Sequence, residues 1–340
     1  MASASGQPSP DGTLMSPAAA APGRVVTRFA PSPTGYLHLG HVRSALEGWR
    51  AARCEGGRFL LRLEDIDRTR CHDEYAVAIL EDLVWLGIDW DGPVRKQSEH
   101  FDDYRRALDR LDSFGVLYPC FCTRRDIQAE IARAGGAPHG DAGPRYPGTC
   151  RRLSAEEVAA KLRSGKDYAL RLDLARALAL TGPLDWIEGE CSRQADAALL
   201  GDVVLARKEF PASYHLAVTV DDAIQGVTLV TRGEDLAIAT HIHRVLQALL
   251  GLPAPRYRHH ALLTDAVGRR LAKRDGAPTM RSMRQQGMSP SEVIAMAEDA
   301  ALTHQALRAW SPLSRGAGEE LCAESAIIAP LPHRGRGCRA

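Results

Sequence analysis

The sequence predicts an α/β fold: a Rossmann-like doubly wound parallel sheet with an inserted segment and a mainly helical C-terminal region. Three observations predict it. Strand-like and helix-like patterns alternate from 24 to 115, which implies parallel strands joined by crossover helices. A glycine-bearing loop separates the first strand from the first helix, the place where such sheets bind nucleotides. From 116 to 200 the rhythm breaks into cysteines, glycines and prolines, so that stretch is expected to be an insertion.

The run Val25-Val26-Thr27 is the first strand, and Pro/Gly punctuation follows it as far as His38-Leu39-Gly40-His41. A helical pattern starts there, with Val42, Ala45, Leu46 and Trp49 on one face. Arg58–Leu63 is strand-like and ends on Glu64. Glu74–Leu86 and Tyr104–Phe114 are amphipathic and stop at Gly87 and Gly115. The sheet pattern resumes at Tyr214–Val220 and Gly226–Thr231, and a helix over Ala237–Leu250 ends at Gly251. The expected units are a disordered tail (1–23), two halves of a nucleotide-binding domain (24–115 and 201–255) and the insertion between them (116–200). A helical region with a basic loop that contacts a nucleic-acid stem (256–310) and a poorly ordered tail (311–340) complete the chain.

The 340 residues are 45% apolar and 25% charged, with a net charge of +1. These are globular values, and they exclude a protein coated in positive charge. Nucleic-acid contact therefore needs a local patch. One runs from Arg256 to Arg284 through Arg258, Arg269, Arg270, Lys273, Arg274 and Arg281, opposed only by Asp265 and Asp275. The first 23 residues hold no Lys or Arg and make no signal peptide. No apolar run of membrane-spanning length occurs. Of eight cysteines, Cys54, Cys71, Cys191, Cys322 and Cys338 stand singly, which suits a reducing cytoplasm rather than a disulfide framework.

A helix start offers unpaired N–H groups and a positive dipole end to phosphates. Two histidines three apart on that turn can touch one triphosphate, and Gly40 lets a base or ribose approach the backbone. The whole string from Arg28 to His41, RFAPSPTGYLHLGH, resembles the signature of class I aminoacyl-tRNA synthetases. Its form is that of glutamyl-tRNA synthetases and their short paralogues, and the resemblance spans about residues 24–300. It implies ATP, accompanied by Mg²⁺, at His38, Gly40 and His41. It also aligns Arg270-Leu271-Ala272-Lys273-Arg274 with the family's Lys-Met-Ser-Lys-Ser loop, placing Arg270, Leu271 and Lys273 at the ATP. Lys273 stands at the second lysine, whose charge would stabilise the phosphorus centre during adenylate formation. Arg270 replaces the first lysine, and both serines are gone. His38, His41 and Lys273 are the catalytic candidates.

A dicarboxylic amino acid needs a cation for its side chain and an acid for its ammonium. Arginine suits the first task through its planar fork. Arg28 and Arg232 both end strands where ligands collect in such a sheet. Glu64 ends another and can take the ammonium, with Ser32 assisting and Tyr214 adding a hydroxyl. These positions, with Ala30, match the glutamate-binding residues of the family.

Cys120 and Cys122, followed by Cys150, suggest a structural zinc site in the insertion. His139 is a chemically normal fourth ligand. Cys-x-Cys with Tyr-x-x-x-Cys resembles the short paralogues that attach glutamate to queuosine, where a tyrosine supplies the fourth oxygen, and on that resemblance Tyr146 is preferred. The residues after Arg274 (275–340) are too few for an anticodon-reading domain, which also matches the short paralogues. The resemblance implies glutamate activation without tRNA, then transfer to the queuosine base at the wobble position of tRNA(Asp). The partners expected are L-glutamate, ATP and the queuosine-bearing anticodon stem-loop, acting on a monomer in the cytoplasm. A truncated synthetase charging a tRNA 3′ end and a non-catalytic tRNA-binding relic are the alternatives. The degenerate 270–274 loop favours the relic, whereas His38, Gly40, His41, Glu64 and Lys273 oppose it.

Overall fold

The computed structural model describes residues 24–123, 125–127, 145–208, 211–264, 278–299 and 303. In chain order the first half runs β1 (Val26–Phe29), α1 (Leu39–Cys54), β2 (Arg58–Leu63), α2 (Asp73–Trp85), β3 (Arg95–Lys96), α3 (Phe101–Ser113) and β4 (Leu117–Cys120). There follow α4 (Ala155–Arg163), β5 (Ala169–Leu172), α5 (Leu174–Thr181), β6 (Asp185–Glu188), β7 (Cys191–Gln194) and β8 (Val204–Arg207). The last elements are α6 (Tyr214–Ile224), β9 (Leu229–Gly233), α7 (Ala239–Leu250), β10 (Arg256–His260), α8 (Met280–Gln285) and α9 (Pro290–Glu298).

Parallel pairing organises the site. β1 pairs with β2, and β2 with β3. β9 pairs with β10, and β10 with β6, all in parallel. The two groups meet at β1 and β9, where Thr228 N donates to Val26 O at 2.9 Å and Val26 N to Thr228 Oγ1 at 2.8 Å. The strands before and after the insertion thus end side by side, and Arg28, Glu64 and Arg232 project from neighbouring strand ends. α1 lies across this seam, closer than an alanine permits. A Cβ on Gly48 would stand 2.9 Å from Thr231 Oγ1 and 3.1 Å from the Phe59 ring.

Two apolar cores flank the frame. Phe29, Leu46, Phe59, Ile79 and Leu83 pack with Met280, Met283 and Met296, fixing α8 and α9 to the first half. Tyr104, Leu111, Leu172 and Leu205 pack with Leu216, Ile242 and Leu246, joining α3, α6 and α7 to the antiparallel sheet β4-β5-β8. Burial on this scale, about 25 cal/mol per Å² of apolar surface, rather than helix propensity, holds such short helices.

Four readings of the sequence need correction. Tyr214–Val220 was expected as a strand and is the first part of α6. Its β-branched run, Val218-Thr219-Val220, is buried together with the helix positions around it, and a helix buried on all sides shows no polar face to reveal its period. Arg256–His260, expected in a helical region, is strand β10, whose outward arginines hide the buried Tyr257. The insertion is also not self-contained: β6 joins the parallel sheet, while β8, beyond 200, joins the antiparallel one. Finally, Cys54 is disulfide-bonded, whereas Cys71, Cys120, Cys122, Cys150 and Cys191 carry free thiols. Among the described residues no helix is long and apolar enough to cross a membrane.

Candidate active site

A cleft of about 410 Å³ opens over the ends of β1, β2 and β9. It is lined by Arg28, Ala30, Ser32, His38, Gly40, His41, Glu64, Tyr214 and Arg232. Every site residue expected from the sequence outside the 270–274 loop and the cysteine cluster therefore faces one space. Arg270, Leu271 and Lys273 lie outside the described residues, as does His139. The segment after that loop is pinned to the cleft. Met280 N donates to Leu37 O at 2.7 Å, and Thr279 forms a backbone bridge with His38.

The histidines cap α1. His38 Nδ1 accepts from Gly40 N at 3.1 Å, and His41 Nδ1 accepts from His38 N at 3.2 Å. An imidazole that accepts at Nδ1 carries its proton, when neutral, at Nε2. Each ring therefore has its N–H on the side away from the cap. Gly40 has a structural reason to be glycine: a Cβ there would press to 3.0 Å of His38 Cε1.

The two arginines differ. Arg28 donates from Nε to Asp222 Oδ1 at 3.0 Å and from Nη1 to Thr231 O at 3.0 Å, so it already has a carboxylate. Arg232 is 5% exposed and donates to His259 Nε2 (3.1 Å), Tyr214 Oη (3.2 Å), His243 Nδ1 (3.3 Å) and Thr240 Oγ1 (2.6 Å). Among the described residues it makes no ion pair with a carboxylate. The Glu64 carboxylate stands 3.5 Å from Arg62 Nη2. Burial pushes its carboxyl up to about 6 against the attraction of Arg62 and Arg28. The cleft thus offers a buried cation lacking an anion and a carboxylate that desolvation makes receptive to a cation.

Sequence reasoning missed Asp222, Arg62, Thr240, His243, His259 and Glu188. Asp222 binds Arg28 and Arg62 from the last turn of α6, just beyond the stretch read as a strand, and Glu188 sits in what looked like the insertion. Only the doubled Asp221-Asp222 on an apolar stretch signalled a buried ionic role.

In the insertion, the sulfurs of Cys120, Cys122 and Cys150 lie within 4.8 Å of one another. Cys122 Sγ is 3.4 Å from Cys150 Sγ and 3.5 Å from Tyr146 Oη. These separations are close to the ~3.8 Å edge of a tetrahedron with zinc–sulfur bonds of about 2.3 Å. Cys150 N donates to Tyr146 Oη at 2.8 Å, and the Arg171 guanidinium lies 3.9 Å over the Tyr146 ring. Burial and the hydrogen bonds with Cys120 and Cys122 push the phenol up, and the Cys150 N–H opposes that rise.

The family described as tRNA synthetases class I (E and Q), catalytic domain, matches residues 24–314. A glutamyl-Q tRNA(Asp) synthetase of Rhodobacter capsulatus is 50% identical over 273 residues, covering 79% of this chain and 98% of that protein. A glutamate–tRNA ligase of Aquifex aeolicus is 39% identical over 295 residues, covering 86% of this chain and 59% of the relative. The crystal structure of a glutamate tRNA ligase from Elizabethkingia meningosepticum in complex with its amino acid superposes with a TM-score of 0.66 at 30% identity. That match covers 81% of this chain and 60% of the other. The chain belongs to the class I tRNA synthetases of the glutamate and glutamine group, and it is a ligase of the aminoacyl-tRNA synthetase type.

Proposed function

We propose that this ligase activates L-glutamate with ATP, without tRNA, and transfers the glutamate to the queuosine base at the wobble position of tRNA(Asp). The observation that carries the glutamate reading is the cleft itself. A buried arginine that pairs with no carboxylate among the described residues faces the same space as the half-buried Glu64 carboxylate, beside a helix start capped by two imidazoles. Glutamate would lie with its side-chain carboxylate on Arg232 and Tyr214 and its ammonium on Glu64, near Ala30 and Ser32. Its α-carboxylate oxygen would attack the α-phosphorus of ATP, forming the mixed anhydride as the bond to pyrophosphate breaks. His38 and His41 would offer Nε2–H donors to the phosphates, helped by the dipole of α1. Lys273 would add charge, and Mg²⁺ enters with the ATP as part of the substrate. A queuosine diol hydroxyl would then attack the activated carbonyl, releasing AMP.

Cys120, Cys122, Tyr146 and Cys150 would hold a structural zinc ion, which crosslinks a segment too small for a core of its own. The arginines from Arg256 to Arg284 supply the local charge for a short stem-loop. The queuosine reading draws its support from the likeness to the Rhodobacter capsulatus protein and from the cysteine–tyrosine cluster. The second reading, esterification of a tRNA 3′ end, rests on the likeness to glutamate–tRNA ligases.

One experiment separates them. With labelled glutamate and ATP, tRNA(Asp) carrying queuosine but lacking its terminal adenosine should still accept glutamate. Transcript with guanosine at the wobble position should accept none. The reverse pattern would sink the queuosine reading and restore 3′-end charging.

A further inference from the structure

The surroundings of Arg232 differ from those of the buried arginines on the neighbouring strands β1 and β2. Arg28 and Arg62 each pair with the Asp222 carboxylate. Arg232 is instead held by four uncharged acceptors, Tyr214 from α6, Thr240 and His243 from α7 and His259 from β10. Arginine only donates, so His259 Nε2 and His243 Nδ1 must both accept. The proton of His259 is then on Nδ1, which donates to Glu188 Oε2 at 2.6 Å. The proton of His243 is on Nε2, facing His215 Nδ1 at 3.3 Å. Both imidazoles are thereby fixed as neutral tautomers. Burial and the Arg232 charge push His243 well below its ordinary value and take His215 to about 4. Glu188 is the carboxylate behind His259, and one imidazole ring keeps it off the guanidinium.

We propose that His243, His259, Thr240 and Tyr214 form a collar of neutral acceptors that positions Arg232 without an anion, and that this collar determines the choice of a carboxylate over an amide substrate. The inference rests on the glutamate reading above and deepens it. An arginine already paired with a protein carboxylate presents a nearly neutral group to the cleft, and an incoming amide then loses little against an incoming carboxylate. A desolvated guanidinium with only neutral partners leaves a charge that glutamate satisfies and glutamine does not. The collar fixes the fork geometrically while leaving the charge for the substrate. Arg28, tied to Asp222, is the internal contrast: its charge is spent inside the protein.

The test adds an anion to the collar. In the full chain, His243→Glu and His243→Gln are compared by glutamate-dependent and glutamine-dependent exchange of pyrophosphate into ATP. Both keep an acceptor of similar reach, and only the first brings a carboxylate. The KM for glutamate should be higher in His243→Glu than in His243→Gln by on the order of 50-fold, the scale of one charged hydrogen bond. The preference for glutamate over glutamine should fall by a similar factor, and the KM for ATP should be alike in the two variants. Thr240→Asp against Thr240→Asn repeats the comparison at Nη2, should either His243 variant fail to fold. Wild-type exchange with glutamate, combined with equal glutamate KM in the acidic and amide variants, overturns the collar and leaves the substrate reading standing. Absence of exchange with glutamate in the folded wild type overturns the substrate reading and the collar with it.

Discussion

Glu64 sits where its ionised form is hard to keep. Burial raises its carboxyl to about 6, with Asp222 and Asp221 adding to the rise and Arg62 and Arg28 opposing it. A free glutamate side chain titrates near 4.3. The fold therefore favours the protonated form, and the stability this group contributes at low pH is lost as pH rises through about 6. A substrate ammonium reverses that preference. The KM for glutamate should fall about tenfold per unit from pH 5 to 6 and level off above it. Glu64→Gln should remove the inflection and raise KM by on the order of 30-fold at pH 7.5. Pyrophosphate exchange measured across pH checks this, and an unchanged profile in Glu64→Gln would take the ammonium away from Glu64. Glu64 and Arg232 were legible in sequence because each ends a strand beside a recognisable loop. The groups that tune them were not. Asp222 reaches Arg62 across 160 positions, and His259 acts on Arg232 from the neighbouring strand.

At the scale of elements, legibility followed burial. β2 is predicted with its observed bounds, and α1 begins within the expected His38–His41 stretch, at Leu39 with His38 as its cap, because one face of α1 is polar and turn residues bracket β2. α6 is misread because its apolar positions surround the axis, and β10 because its arginines face outward. The antiparallel sheet β4-β5-β8 is a different case: Leu172 and Leu205 anchor it in the second core, and the cysteine end of β4 lies in a separate small cluster. Cys120 closes β4, Cys122 follows it, and Cys150 sits on a short 3-10 turn over Thr149–Arg152; Phe121, Tyr118 and Leu153 are the apolar side chains packed beside these cysteines and Tyr146. Burial pushes the Cys122 thiol up to about 12, and a dication is the usual means of drawing off such protons. Protein purified without chelators should carry about one zinc per chain. Cys122→Ser should lose the metal and expose the β4–β5 segment to proteolysis while α1 and β2 stay protected. Metal analysis showing no zinc in folded wild-type protein would remove the site.

At the scale of the whole molecule, one carboxylate links the halves. Asp222, on α6, binds Arg28 of β1 at 3.0 Å and Arg62 of β2 at 2.8 Å, so the two sides of the cleft share a buried ionic node far apart in sequence. Burial alone would raise its carboxyl. The guanidiniums of Arg28 and Arg62 more than reverse this and hold it below the usual range. A depressed carboxylate contributes stability that is full above its unfolded value near 4 and fades as pH falls through its lower folded value. Removing one member of such a node leaves uncompensated buried charge, which costs about 3–5 kcal/mol. Asp222→Asn should therefore lose about 3 kcal/mol in urea unfolding at pH 7, and the gap from wild type should narrow below pH 4 as the wild-type carboxylate takes up its proton. A gap below about 1 kcal/mol, the scale of a surface pair, or one that does not change with pH, would mean that apolar packing alone joins the halves. The cleft geometry makes the first outcome the expected one, because Arg28 and Glu64 both take their charge balance from this node. A variant that loosens it should lose glutamate binding at urea concentrations well below those that unfold the chain.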